Sequence, residues 1–109
     1  MSFELKSHKD YEILYITSGK LNRENARCLK EEFELLCSHG NKSKNYCINL
    51  FDVPVEDYSA LSALMQCSNL AYENDVKLTF IGLEKSIEDT LNDNKYSGNL
   101  FFVSNPYNL

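Results

Sequence analysis

Strand-like and helix-like segments alternate along this sequence. Short runs rich in aromatic and branched residues, typical of β-strands, occupy residues 3–5, 11–16, 46–50, 76–81 and 100–103. Longer segments in which apolar residues recur at spacings of three and four, typical of helices, follow residue 22, extend from residue 58 to about 74, and cover residues 86–92. The pattern therefore predicts two strands followed by three helix–strand units.

This order of elements predicts the architecture. A strand, a helix and the next strand form a right-handed crossover, which makes successive strands parallel. We therefore expect an α/β fold with a mixed central β-sheet of about five strands and three or more flanking helices. The 109 residues suffice for one domain, which we assign to residues 1–109. Ligands of such sheets usually meet the loops after the strands, here residues 17–22, 51–58 and 82–86.

Local signals predict where the first helix begins and ends. Asn22 suits the N-cap position, and Glu24 adds favourable negative charge in the first turn. His39 and Gly40 are typical of a helix end, because imidazole can meet the last carbonyls and glycine adopts the left-handed conformation cheaply. Four apolar residues share one face and predict its buried side: Ala26, Leu29, Phe33 and Leu36.

The second helix carries a longer apolar stripe. Asp57 stands immediately before it, and Asn74 and Asp75 are expected to end it. The small residues Ala60 and Ala63 predict a close approach to neighbouring elements. The expected stripe contains Leu61, Leu64, Met65, Ser68, Ala71 and Tyr72. The last six residues, SNPYNL, are expected to fray.

Charge and the amino-terminal sequence narrow the class of partner. Lys and Arg total 11 and Asp and Glu total 16, which gives a formal net charge of −5 at pH 7. A chain this acidic is not expected to bind nucleic acid, and a basic protein surface is a better match. The first twenty residues contain neither a signal-peptide core nor a membrane span, so we expect a cytoplasmic protein without membrane insertion.

The spacing of the cysteines indicates that they pack in the core and do not bind a metal or act in catalysis. They lie nine, ten and twenty residues apart, with no C-x-x-C pair and no histidine that completes a zinc set. We expect buried, reduced thiols, and predict no metal and no cofactor. A cysteine enzyme that uses Cys47 or Cys67 is the weakest of the functions considered. The four cysteines are Cys28, Cys37, Cys47 and Cys67.

Other catalytic arrangements are not favoured either. His8 precedes the expected core and His39 lies at a helix end, so neither is placed to act as a base for Ser59. The four glycines are far apart and form no phosphate-binding loop. We therefore predict a protein without catalytic residues.

Two segments resemble the STAS domain, the module found in bacterial anti-sigma factor antagonists and in the tails of sulfate transporters. Gly19-Lys20-Leu21-Asn22 is similar to the family's Gly-x-Leu-Asp turn before the first helix. Residues 49–61, NLFDVPVEDYSAL, are similar to a family segment that reads approximately Asp-Leu-Ser-x-Val-x-Phe-x-Asp-Ser-Ser-Gly-Leu. The matching positions are Leu50, Val53, Asp57, Ser59 and Leu61. Together with the element order, the resemblance covers nearly the whole chain.

The resemblance implies a phosphorylation switch with one altered residue. In such antagonists the serine directly after the aspartate accepts phosphate from a kinase that is itself the anti-sigma factor, and phosphate there abolishes binding. This chain has Tyr58 at that position, and a tyrosyl oxygen extends several ångströms beyond a seryl oxygen. Ser59 is the nearest hydroxyl and the candidate phosphorylation site, although it is also suited simply to lining the start of the helix.

The resemblance also implies a partner surface at the start of the second helix. The partner-binding candidates are Asn22, Asp52, Glu56, Asp57, Tyr58 and Ser59. Their carboxylates are predicted to form an acidic corner that steers a basic partner, an anti-sigma factor or serine kinase-like protein, unless they are only a solvated face. The alternative function is an accessory subunit of a transport system or a small-ligand module. The oligomeric state stays open and includes a homodimer.

Overall fold

The structure, a computed structural model, describes residues 3–38 and 45–109. In these ranges five strands alternate with three helices. The strands are β1 (Phe3–His8), β2 (Tyr11–Ile16), β3 (Asn45–Asn49), β4 (Lys77–Ile81) and β5 (Leu100–Val103). The helices are α1 (Arg23–Ser38), α2 (Tyr58–Glu73) and α3 (Lys85–Asn92), with short 3-10 turns at Ser97–Asn99 and Pro106–Asn108. The helix end expected at His39 and Gly40 lies outside the described residues.

The strands form one mixed sheet in the order β1-β2-β3-β4-β5. β1 runs antiparallel to β2, and the other neighbouring pairs are parallel. Leu29, Leu64 and Leu91, one from each helix, belong to one core cluster, so the three helices lie on the same face of the sheet, as right-handed crossovers in chain order require. The predicted mixed sheet of five strands with three flanking helices is confirmed.

The two faces of the sheet bury side chains differently. On the helix side, Leu14, Ile48 and Phe80 pack with the apolar faces of α1 and α2, including Phe33 and Leu64, in the large core cluster. On the opposite side, a second cluster consists of Ile13, Cys47 and Ile81. Side chains at alternate strand positions point to opposite faces of the sheet, and the helices pack on only one of those faces. The second cluster therefore contains no helix residue.

The first strand is longer than predicted. It continues from Phe3 to His8 and pairs with β2 over its whole length, so that His8 lies opposite Tyr11. The expectation that His8 precedes the folded core is therefore wrong. The chain reverses at Lys9, which has a φ of 55°, and this tight turn lets the polar end of β1 pair although its sequence lacks a strand pattern.

The carboxyl-terminal segment is ordered, contrary to the expectation that it frays. Asn105 caps the Pro106–Asn108 turn, its Oδ1 accepting from the Tyr107 amide at 2.9 Å. Leu109 packs on the second cluster, and Lys9 Nζ donates to its backbone oxygen at 3.1 Å. The open face of the sheet offers apolar surface that local sequence patterns do not reveal.

The predicted helix faces are largely correct. Ala26, Leu29 and Phe33 of α1 are fully buried, and Leu36 is partly buried. In α2 the expected stripe is buried at Leu64, Ser68 and Ala71 and partly buried at Leu61 and Met65. Its last residue, Tyr72, is 50% exposed and packs against the Tyr96 ring at 5.2 Å between centroids. Tyr72 lies in the last turn of α2. None of the described helices is long and apolar enough to span a membrane.

Candidate functional site

The loops after β2 and β3 are joined to each other by backbone hydrogen bonds. Leu21 forms a parallel bridge with Val55, its amide donates to the Pro54 carbonyl at 2.8 Å, and its carbonyl accepts from the Glu56 amide at 2.9 Å. The Leu21 side chain is fully buried. This short connection holds the beginnings of α1 and α2 next to each other, which brings together the two segments of the sequence resemblance.

Asn22 begins α1 through a reciprocal cap. Its Oδ1 accepts from the amides of Glu24 and Asn25, each at 3.1 Å, and the Asn25 side chain accepts from the Asn22 amide at 2.7 Å. The predicted N-cap at Asn22 is confirmed. Asn25 also donates to the Lys20 carbonyl at 2.6 Å, so that the preceding turn is attached to the helix.

Asp57, Tyr58 and Ser59 stand at the exposed start of α2. Asp57 is the N-cap, and its Oδ1 accepts from the Ala60 amide at 2.8 Å. Tyr58 is 84% exposed and Ser59 is also exposed, whereas Ala60 is completely buried. The three side chains are therefore accessible to a partner, and the buried alanine behind them anchors the helix.

The other two candidate carboxylates, Glu56 and Asp52, lie in different positions relative to Asp57, Tyr58 and Ser59. Glu56 lies next to these three residues and pairs with Lys20 at 3.9 Å. Asp52 has a φ of 60° and lines a separate cavity of about 330 Å³ together with Gly82 and Glu84. The structure thus brings Asn22, Glu56, Asp57, Tyr58 and Ser59 together and turns Asp52 toward the loop after β4.

Two arginines that sequence reasoning did not select lie within the predicted acidic corner. Arg23 and Arg27 line a cavity of about 570 Å³ with Asn22 and Asp57. They also line the neighbouring groove toward Tyr58, so the corner carries mixed charge and is not purely acidic. Their spacing of four residues on one helix was the available signal, since residues four apart share a helix face.

Three of the thiols, those of Cys37, Cys47 and Cys67, are unsuited to nucleophilic chemistry. Cys47 and Cys67 are completely buried, and this burial raises the pKa of each thiol to about 12. Burial, with Glu34 adding to it, raises the pKa of Cys37 to about 11. The protonated forms therefore dominate at neutral pH, and thiols are weak nucleophiles in that form. Buried thiols were predicted, but Cys28 and Cys37 are only partly buried, because they flank the buried face of α1 on opposite sides.

Residues 3–38 and 45–109 contain no group of three or more His, Cys, Asp and Glu side chains that could hold a metal ion. The polar groups at the start of α2 are one carboxylate, one phenol and several hydroxyls, next to two guanidinium groups. Such a set can form hydrogen bonds and ion pairs with another molecule.

Comparison with solved structures identifies the fold. The anti-sigma factor antagonist SpoIIAA in its unphosphorylated form superposes with a TM-score of 0.69 at 8% identity, over 92% of this chain and 86% of that one. A putative anti-sigma factor antagonist from Thermotoga maritima superposes with a TM-score of 0.68 at 18% identity, over 97% of this chain and 89% of that one. This chain therefore has the STAS fold of anti-sigma factor antagonists. No family model and no curated protein matches its sequence.

Proposed function

We propose that this STAS-fold chain is a non-enzymatic regulatory module of the anti-sigma factor antagonist type, one domain over residues 1–109 that acts in the cytoplasm. It docks a basic anti-sigma factor or serine kinase-like partner through the start of α2. The observation that carries the proposal is the exposed Asp57-Tyr58-Ser59 segment at the first turn of α2, on a fold shared with anti-sigma factor antagonists.

Tyr58 is the central contact in this proposal. It is 84% exposed, although a tyrosine ring carries a large apolar area. Tyrosine is enriched among the residues that dominate binding energy, because its ring fills a pocket on the partner while its hydroxyl forms a hydrogen bond. Asn22, Glu56 and Asp57 surround it with polar groups, which is the usual rim of a protein interface. Asp52, which lines a separate cavity with Gly82, lies outside this rim.

Ser59 is the proposed regulatory site. Its hydroxyl oxygen would form the new bond to the γ-phosphorus of ATP, ADP would leave, and the hydroxyl proton would pass to a base of the kinase. Phosphate adds nearly two negative charges beside Tyr58 and Asp57, which changes the charge that the partner meets. Tyr58 then occupies the acceptor position of the related antagonists as a contact residue, with the acceptor shifted to Ser59.

The docking proposal is tested with the serine-kinase anti-sigma factors encoded in the source genome. The purified chain is titrated against each, and affinity is compared for the parent, Tyr58→Ala and Tyr107→Ala. Tyr107 is a matched control because it is also a tyrosine, is 93% exposed, and lies in the turn after β5. We expect Tyr58→Ala to weaken binding by about thirtyfold and Tyr107→Ala to leave it unchanged. Absence of binding to every such kinase would remove the antagonist function.

Phosphorylation is measured in the same mixtures with ATP by mass spectrometry. We expect phosphate on Ser59, its loss in Ser59→Ala, and its retention in Ser86→Ala, which removes another exposed serine at the start of a helix. Phosphate on Tyr58 would overturn the assignment of Ser59. Tight binding without any phosphate would retain the docking function and exclude the switch.

A further inference from the structure

Both arginines of the chain line one groove between α1 and α2. The sequence contains two arginines, Arg23 and Arg27, and both border a groove of about 570 Å³. The α2 side of this groove carries hydroxyl and amide groups. They belong to Tyr58, Ser59, Ser62 and Gln66. The groove thus combines two guanidinium groups with several neutral hydrogen-bonding groups, and its volume is within the range of about 300–1,000 Å³ found for small-molecule sites.

Neither arginine has an ion-pair partner in the described residues, although Glu24 and Asp57 line the adjacent cavity with both. Within residues 3–38 and 45–109 neither guanidinium forms an ion pair with a carboxylate, and residues 1, 2 and 39–44 contain no Asp or Glu. Lys30 also borders the groove and pairs with Glu34 at 3.3 Å, while Glu31 is the lining carboxylate. The groove therefore holds two guanidinium groups without an ion-pair partner, although the chain carries a net charge of −5.

The position of Arg23 opposes the stability of its own helix. Arg23 is the first residue of α1, where the amide groups of the helix already present positive partial charge. A cation there is unfavourable, and an anion bound in front of it would reverse that effect. An arginine at this site is therefore better explained by binding than by helix stability.

From these observations we propose that the α1–α2 groove is a binding site for a phosphate monoester. Two guanidinium groups supply planar, paired donors that match phosphate oxygens, and their two charges balance the charge of nearly −2 on a monoester. The Ser59 and Ser62 hydroxyls lie on the facing helix and supply further hydrogen bonds. A carboxylate has one charge and two oxygens, which a single arginine satisfies, so it would leave the second arginine unpaired.

The monoester can come from two sources. One is phosphate carried by Ser59 itself, which lines the groove, and the other is a separate phosphorylated molecule. The chemistry of recognition is the same in both cases. The site does not depend on the partner proposed above, because the groove is formed by this chain alone.

The test is a titration of the isotope-labelled chain with phenyl phosphate, followed through its amide NMR signals. We expect shifts confined to residues 23–31 and 58–66. Benzoate, which carries a carboxylate on the same ring, is expected to bind about tenfold more weakly. Absence of shifts in these two segments, or equal affinity for benzoate, would overturn the proposal.

Two double variants that remove the same number of charges distinguish binding in the groove from an effect of the overall charge of the protein. Arg23→Gln/Arg27→Gln removes two positive charges from the groove, and Lys77→Gln/Lys95→Gln removes two from other exposed positions. We expect the first to weaken phenyl phosphate binding by about tenfold or more and the second to change it by less than about twofold. Since both replace exposed residues, a thermal melt of each checks that the fold is retained. Equal losses in the two variants would overturn the site.

A chain with phosphoserine incorporated at position 59 distinguishes the sources. If its own phosphate fills the groove, phenyl phosphate binds about tenfold more weakly than to the unmodified chain. Unchanged affinity assigns the site to a separate molecule. The titration uses this chain alone, so its result does not depend on the kinase experiments. Either proposal can therefore fail without the other.

Discussion

Asp57 combines a structural and a proposed binding role in one carboxylate. Its Oδ1 accepts from the Ala60 amide at 2.8 Å and so begins α2, while the residue itself is exposed next to Tyr58. The two roles use different properties of the side chain. The cap needs an oxygen acceptor, which serine also has, whereas the proposed contact with a basic partner needs the negative charge, which serine lacks. Substitution at this residue can therefore distinguish the two roles.

Replacement of Asp57 by alanine should destabilise the protein without changing its fold. The Ala60 amide loses its acceptor, and loss of an N-cap of this kind costs about 1 kcal/mol of unfolding free energy. Chemical denaturation of the parent and of Asp57→Ala measures this difference directly.

Asp57→Ser is the control for the cap. It should retain most of the stability while losing the charge, so reduced partner binding in Asp57→Ser would assign the carboxylate to the interface. Equal stability of Asp57→Ala and the parent would contradict the capping role.

The element-scale arrangement depends on close contact between the loops after β3 and β4. The Leu50 amide donates to the Ile81 carbonyl at 2.9 Å, and the Gly82 amide donates to the Val103 carbonyl at 2.9 Å. Gly82 has a φ of 81°, and a Cβ at this position would lie 2.5 Å from Phe51 Cα. The backbone of one loop thus occupies the space where the other would carry a side chain.

Three glycines provide a graded test of this contact. Gly82→Ala should cost about 3 kcal/mol or more, because a left-handed alanine costs about 1–2 kcal/mol and the Phe51 backbone cannot move aside easily. Gly19→Ala should cost only the conformational part, since Gly19 has a φ of 84° but nothing lies within 4 Å of its added Cβ. The denaturation midpoints of the variants show whether the losses of stability follow this order.

Gly98→Ala completes the series. No atom lies within 4 Å of the Cβ that this substitution adds, and the φ of Gly98 is not positive. We therefore expect the free energy of unfolding to change by no more than about 0.5 kcal/mol. A smaller loss in Gly82→Ala than in Gly19→Ala would show that the two loops are not in close contact.

At the scale of the whole molecule, cysteines are buried on both faces of the sheet. Cys47 belongs to the cluster on the open face, and Cys67, a residue of α2, lies in the core on the helix side. Burial raises the pKa of each thiol to about 12 from an ordinary value of 9.0. The folded chain therefore keeps protons that the unfolded chain releases at lower pH.

Stability should fall as the pH rises above about 9. Between pH 9 and 12 the unfolded chain has lost these thiol protons and the folded chain still binds them, so unfolding is favoured increasingly. Each thiol can contribute up to about 1.4 kcal/mol per pH unit. Urea denaturation with reductant at several pH values from 8 to 10 measures the slope.

Cys67→Ala should make this slope shallower, because one of the thiols with a raised pKa is gone. Val76→Ala is the control, since it also removes buried apolar volume but keeps every thiol, so its slope should equal that of the parent. A free energy of unfolding that stays constant from pH 8 to 10 would contradict the effect of burial on the pKa.

Much of the fold could be predicted because its signals are local. Asn22 and Asp57 were identified as helix starts, since an N-cap depends on amides only two or three residues away. The extent of β1 and the position of the last residues could not, because both depend on pairing and packing with distant parts of the chain. The same limit explains why Tyr72 is exposed although it lies on the apolar stripe of α2.

The sequence by itself determined the order of strands and helices, the N-caps of α1 and α2 and the α/β architecture, because periodicity and capping act over a few neighbouring residues. Only the tertiary structure decided which side chains meet at the start of α2. It brought Arg23 and Arg27 against Tyr58 and Ser59 and turned Asp52 away toward Gly82. The physical reason is that the site lies between two helices, and their relative position is set by the sheet on which both pack.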